Sequence, residues 1–364
     1  MTNQSSWLKK RISPGLLSLI LFTSCNKVDD SIEPKIHYTI HEKMVQDLPC
    51  AFEPLHQDEL EKAWATEYRM GIYFARKLDL YRAITAFNRA EFLLTEEPHK
   101  LTASLRKHEV EYMTLLCYAL GKRYDDLISY FENSTLTYVT ADFKPYHDLL
   151  VILSEAYEVT KQKHKALSVQ QALAHAYPAA AEKFFVGQAV QIADMQTAFM
   201  ILDHKVNAAT PASISIQKAL NEKAKPYNFI NFEMVDKTQS TKLKDAIDTQ
   251  HVAYQKQKKS PFTAQLLGSI VPGAGYAYLG QYQSAFTAFS VNALFIGTAS
   301  YFFLQGNIPA GILTTSFEAG WYFGSIYGSG QACKTYNERL FESYVGPVMD
   351  DKKLHPLLQI EYGF

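Results

Sequence analysis

The chain has 364 residues, a formal charge of −1 and 20% charged residues. That balance excludes bulk electrostatic binding of nucleic acid, which needs clustered Lys and Arg. The length exceeds one ordinary core, so more than one domain is expected.

The averages conceal a strong asymmetry. Lys9-Lys10-Arg11 precedes the apolar stretch Leu16–Phe22 and then Thr23-Ser24-Cys25. A basic region, a short apolar core and small residues form a secretory signal. Leu21-Phe22-Thr23-Ser24-Cys25 resembles the lipobox of a bacterial lipoprotein. The resemblance implies that residues 1–24 are removed as a signal peptide and that Cys25 is lipidated. An uncleaved signal anchor is the alternative, and either way the rest of the chain is exported. Three cysteines then remain, Cys50, Cys117 and Cys333, with no CxxC or metal spacing. A Cys50–Cys117 bridge competes with the plainer reading of small buried apolar side chains. Residues 25–59 read as a polar tether and entry segment containing Pro34, Pro49 and Pro54. His37 and His41 stand one helical turn apart there, but no third ligand follows, so no metal is expected.

From Leu60 helical periodicity dominates, and residues 60–206 read as repeats. Met70-Gly71-x-x-Phe74 followed by Ala83-x-x-x-Phe87-x-x-Ala90 resembles the tetratricopeptide pattern. Gly71 and Ala83 are small where two antiparallel helices cross. Phe74 and Phe87 fill the wedge, and Ala90 admits the next repeat. Tyr118, Gly121, Tyr124, Leu127 and Phe131 offer a second unit, and Tyr157, Ala166 and Pro178 a third. Phe184–Lys205 reads as one capping amphipathic helix. Such arrays leave a concave face free for a protein partner, with Glu67, Arg69, Tyr73, Glu111 and Glu155 its expected contributors. Residues 207–259 form a helical linker. In it Pro226–Phe232 reads as extended, and Lys242–Lys259 as a polar helix whose lysines can reach lipid phosphates.

Between Ser260 and Cys333 the only charged residue is Glu318. The runs Gln283–Leu304 and Ile308–Ala332 are each long enough to cross a bilayer, separated by the turn Gln305-Gly306-Asn307. The second carries Ser316, Gly320, Gly324, Gly328 and Ala332 at a strict spacing of four, a small-residue stripe for close helix packing. Pairing with Ser284, Ala288, Asn292 and Ser300 of the first run is the expected use, and a homodimer through the stripe the alternative. Glu318 lies on a different side, with Tyr322, Ser325 and Ser329. A carboxylate at membrane depth is costly, which marks it as a functional candidate. Its structural alternatives are a hydrogen bond from Tyr322, one turn away, or an interfacial depth where water reaches it. The segment Val271–Gly280, rich in Pro and Gly, breaks any helix and reads as re-entrant or surface-lying, with a third span as alternative.

Pro272-Gly273-Ala274-Gly275, Tyr278, Gly280, Ala285, Asn292-Ala293-Leu294, Phe317–Tyr322 and Tyr336-Asn337 together resemble a hydrophobic bacterial envelope domain covering residues 260–340. That domain often accompanies tetratricopeptide repeats, and some relatives occur beside the membrane-protein insertion efficiency factor. The resemblance marks Glu318, Trp321 and Tyr322 as a signature and implies no activity. The tail, residues 341–364, ends in an alternation that reads as a strand.

The expectation is therefore an all-α chain: a tetratricopeptide-like helical solenoid followed by a transmembrane hairpin. It is anchored in a bacterial envelope with the repeats on the exported side. No Ser/His/Asp, Cys/His or metal constellation stands out, so a non-enzymatic scaffold without cofactor is expected. Its partners would be a protein on the repeat face and membrane lipid. A role in membrane-protein or envelope biogenesis through the intramembrane Glu318 face is the alternative, and Glu318, Tyr322, Trp321 and Asn292 are the functional candidates in the membrane segment.

Overall fold

The computed structural model describes residues 43–96, 100–205 and 225–364. The expected signal segment, Cys25, His37 and His41 lie outside them. Among the described residues the fold is all-helical, and β-pairing is confined to one isolated bridge between Cys50 and Gly363. The chain divides into two units. One holds the described residues up to Thr249 together with Pro347–Phe364; the other is Gln250–Gly346.

In the larger unit the helices come in pairs: α1 (Ala63–Ala75) with α2 (Leu80–Thr95), and α3 (Lys100–Leu120) with α4 (Tyr124–Asn133). Next come α5 (Tyr146–Val159) with α6 (Lys163–Ala176), and α7 (Pro178–Gln191) with α8 (Met195–Leu202). One turn joins every pair. Leu78, Lys122, Lys161 and Ala193 each adopt a left-handed φ of 53–60°. The next amide in each case returns to a carbonyl near the end of the first helix: Asp79 to Phe74, Arg123 to Tyr118, Gln162 to Tyr157 and Asp194 to Ala189, at 2.9–3.0 Å. This Schellman-type closure satisfies orphan carbonyls and lets the second helix start at once.

Side-chain sizes set the crossings. A Cβ on Gly71 would fall inside the ring of Phe87, and Ala83 and Ala90 are fully buried beside it. Pro178 occupies the first turn of α7, where its missing N–H costs nothing. The single helix expected over Phe184–Lys205 is two, because Ala193 turns the chain. The extended segment expected at Pro226–Phe232 is instead a pair of 3-10 turns, Pro226–Phe229 and Phe232–Met234.

The tail is not a strand either. A 3-10 turn, Pro356–Leu358, precedes it, and the amides of Glu361 and Tyr362 bond to the carboxylate of Asp148 at 3.0 and 2.9 Å. Donors that a neighbouring strand would have taken are thus used by one buried side chain.

The second unit begins at the end of α9 (Lys237–Gln257). It continues through α10 (Pro261–Ile270), α11 (Ala274–Tyr278), α12 (Tyr282–Leu304) and most of α13 (Ile308–Asp351). Gly273, Gly280 and Gly306 take φ values of 88, 82 and 75° at the three breaks. The apolar run Ile308–Ala332 is the first part of a 44-residue helix that continues into charged sequence. Among the described residues one helix, Tyr282–Leu304, has the length and hydropathy to cross a membrane.

Candidate functional site

Gly273 and Gly275 of the Pro-Gly motif and Tyr322 of the Gly-Trp-Tyr motif hold the second unit together. Gly273 packs on the backbone at Ala285 and Phe289, and Gly275 on Ala264 and Ser329. Neither place has room for a side chain. Ser260 caps α10 by accepting from Thr263 N at 3.2 Å. Asn337 braces the same junction, accepting from Lys259 N at 2.9 Å and donating to Lys259 O at 2.7 Å. The Lys259 ammonium donates to the Tyr278 carbonyl at 2.8 Å and lies over the rings of Tyr278 and Tyr336.

Tyr322 belongs to this framework and is not the partner of Glu318. Its hydroxyl donates to the carbonyl of Ser269 at 2.6 Å, one of the last carbonyls of α10, which lack partners within the helix. Ser329 donates to the carbonyl of Ala264 at 3.3 Å. The polar side of α13 thus serves the backbone of α10. Glu318 is left buried with both carboxylate oxygens unpartnered.

The glycine stripe also differs from expectation. Around Gly320 and Gly324 a Cβ would meet nothing within 4 Å, whereas at Gly328 it would meet the Tyr276 hydroxyl. Close packing therefore holds at Gly328 and fails at Gly320 and Gly324. These two glycines, with Ser316, Phe317, Trp321 and Ser325, form one wall of a trough of about 670 Å³. The opposite wall is Gln283, Ser284, Thr287, Ala288, Val291 and Asn292 from α12, with Tyr276 at one end. The two rows of small residues do face each other, but across open space.

Asn292 is the most constrained polar group in the trough, 1% exposed. Its amide nitrogen donates to Ala288 O at 2.6 Å, while its oxygen has no partner. Every lining residue is uncharged.

In the larger unit the candidates for a binding face separate. Arg69 and Tyr73 are exposed and border a second groove of about 680 Å³ that also includes Arg76, Lys77, Glu53 and Phe52. Glu67 pairs with Arg89 at 3.0 Å, and Glu155 accepts from the Tyr124 hydroxyl at 3.0 Å. Glu111 is corrected: it is fully buried. It takes the Thr135 amide at 3.0 and 3.1 Å and the Thr135 hydroxyl at 2.5 Å. Burial pushes its carboxyl above the ordinary range despite those bonds. Tyr118 and Phe131 pack against the same core as Phe74, and Tyr157 and Ala166 lie within it.

Three clusters escaped the sequence. Arg106 grips the entry segment, bonding both Glu59 oxygens at 2.8 and 2.9 Å, Glu109 at 2.7 Å and the Glu53 carbonyl at 3.0 Å. Burial alone would raise the Glu59 carboxyl, but the Arg106 bonds outweigh it and hold it below the ordinary range. Asp148 collects the Tyr112 hydroxyl at 3.1 Å and His147 Nδ1 at 2.9 Å in addition to the two tail amides. Ser240, His204 and Glu182 also meet, at 3.0–3.3 Å. Because the same His204 nitrogen faces both partners and Ser240 donates directly to Glu182, the trio cannot pass a proton from serine through histidine to carboxylate. It ties α9 to α7. Cys50, Cys117 and Cys333 are free thiols, so the alternative Cys50–Cys117 bridge is absent. Among the described residues no group of His, Cys, Asp and Glu could hold a metal.

No family model, curated protein or solved structure matches the chain.

Proposed function

We propose that the chain is a membrane-anchored, tetratricopeptide-type scaffold that works by binding rather than catalysis. Its helical pairs engage a protein partner on the exported side of a bacterial envelope, its Cys25 lipid and its C-terminal hairpin hold it at the bilayer, and it requires no cofactor. The observation that carries this reading is the outward display of large apolar side chains on α12 and α13. Leu304 is 87% exposed, Tyr282 73% and Phe286 72%, with Leu294, Ile312, Phe317, Trp321 and Phe323 also exposed. A surface of that kind needs lipid or protein to cover it. The repeated turn at Leu78, Lys122, Lys161 and Ala193 supports the repeat reading.

A second reading, a factor in membrane-protein or envelope biogenesis, draws on the unpartnered Glu318. A buried carboxylate without partners is expensive unless neutral or met by another molecule. One in-cell experiment addresses both. A photocrosslinker at Arg69 or Tyr73 is expected to capture a discrete protein, and no capture from that face defeats the scaffold. Glu318→Gln that leaves growth and capture unchanged defeats the second reading.

A further inference from the structure

Two distant stretches of chain end the apolar surface of the second unit at one level. Lys259 stands immediately before the nearly chargeless stretch Ser260–Cys333, and Lys334 immediately after it. Asn337 joins the two ends through both backbone groups of Lys259, at 2.9 and 2.7 Å. Beyond that joint α9 and α13 run antiparallel, since Gln257 bonds the Tyr344 hydroxyl and the rings of Tyr254 and Phe341 meet at 5.2 Å. Lys256, Lys258, Lys259 and Lys334 therefore lie within about one helical turn, ~5 Å, of the joint. Arg339 belongs to the same band, and Glu338 is its one acid. Lys259 is spent on the Tyr278 carbonyl. Lys256, Lys258 and Lys334 are exposed, and among the described residues none of the three pairs with a carboxylate.

The surface next to this band says what the lysines meet. On its apolar side Phe262, Ile270, Phe286 and Phe323 are each two-thirds or more exposed. Helix α13 begins at Ile308 and reaches Lys334 26 residues later, or ~39 Å, close to the depth of a bilayer with its headgroups, ~40–45 Å. The far turn, Gln305-Gly306-Asn307, is uncharged. An acidic protein would account for the cations alone. A bilayer accounts for the cations, for their ending where the apolar surface begins, and for the length of that surface. Tyr336 and Tyr344 stand at the same level, where aromatic rings suit the membrane interface.

We propose that Lys256, Lys258 and Lys334 form a binding site for acidic phospholipids, whose phosphate has no choline to balance it, in the leaflet that α9 enters. The proposal rests on the membrane placement above and adds the class of lipid.

The test uses the full chain in neutral detergent micelles holding equal amounts of phosphatidylcholine and phosphatidylglycerol, with retained lipid counted by native mass spectrometry. Phosphatidylglycerol should be favoured by at least about tenfold, given roughly fivefold for each lysine that faces its extra negative charge. Added salt should shrink that preference. Lys256→Gln/Lys258→Gln/Lys334→Gln, whose side chains stay exposed and so leave folding intact by circular dichroism, should retain the two lipids equally. Lys163→Gln/Lys237→Gln/Lys242→Gln, at three exposed lysines of the larger unit, removes the same charge and should change nothing. Equal retention by wild type overturns the proposal. So does an equal fall in the second variant, which would make net charge the cause. Displacement of phosphatidylglycerol by inorganic phosphate at constant ionic strength also overturns it, since the site would then take free phosphate. Carbonate extraction reads the membrane placement separately. A released chain that keeps the lysine-dependent preference upholds the site without the span, and an embedded chain that retains both lipids equally keeps the span and loses the site.

Discussion

Glu111 shows how misleading a polar residue on a paired helix can be. Its position matches a first-helix face, yet its carboxylate is sealed in and spent on Thr135. Because burial raises its folded pKa above the unfolded value of about 4.5, the folded state holds this proton to higher pH than the unfolded one. Stability from this group is therefore full below about 4.5 and declines as pH rises through the folded value. Glu111→Gln removes the titration but keeps an acceptor. Urea unfolding across pH 4–8, an interval of about four units chosen to bracket that shift, should show wild type losing ground to the variant as pH rises. A difference that stays flat, or grows with pH, contradicts the assignment. Sequence reading marked Glu111 because residue type and helical position are visible in it, whereas its burial and its bonds to Thr135 are not. Asn292 and Glu318 were legible as polar groups in apolar helices, while the partner that Tyr322 chose was not. Ser269 is over fifty positions away, so no local spacing announces it.

The repeated turn is the corresponding case at the scale of elements. Gly71, Ala83, Phe87 and Ala90 revealed their pair because close crossings demand small and large residues at set positions. The turns carry no such mark: Leu, Lys, Lys and Ala occupy the left-handed site. An L-residue there costs about 1 kcal/mol that glycine avoids. Lys161→Gly should accordingly raise stability by about 1 kcal/mol, less the extra freedom glycine gains in the unfolded chain, read as a higher urea midpoint. Lys161→Val, branched at Cβ, should lower it. If glycine destabilises, the turn is not the constraint it is taken to be. The apolar helices teach a similar lesson. A four-residue spacing of small residues is the same whether helices touch or stand apart. At Gly328 they touch Tyr276, and at Gly320 and Gly324 they leave a trough.

Across the whole molecule, the chain leaves the larger unit at Thr249 and returns to it at Pro347. The return is secured by contacts that are remote in sequence. Arg76 donates to the main-chain oxygen of Phe364 at 3.0 and 3.1 Å, Gly363 N donates to Pro49 O at 3.0 Å, and Gly187 admits the backbone at Leu354 where a side chain would not fit. Asp148 is the centre of this latch, since one fully buried carboxylate satisfies the Glu361 and Tyr362 amides and the Tyr112 hydroxyl. Asp148→Ala strands all three donors, each of which then carries its own desolvation cost. The loss should be roughly 3–5 kcal/mol, seen as a lower unfolding midpoint. It should also bring fast hydrogen exchange at residues 356–364 while the amides of α1 and α2 stay protected. Asp148→Asn keeps one acceptor and should fall between the two. A tail that exchanges as slowly in Asp148→Ala as in wild type would show that the Phe364 and Gly363 contacts hold it alone, and that the carboxylate serves Tyr112 instead.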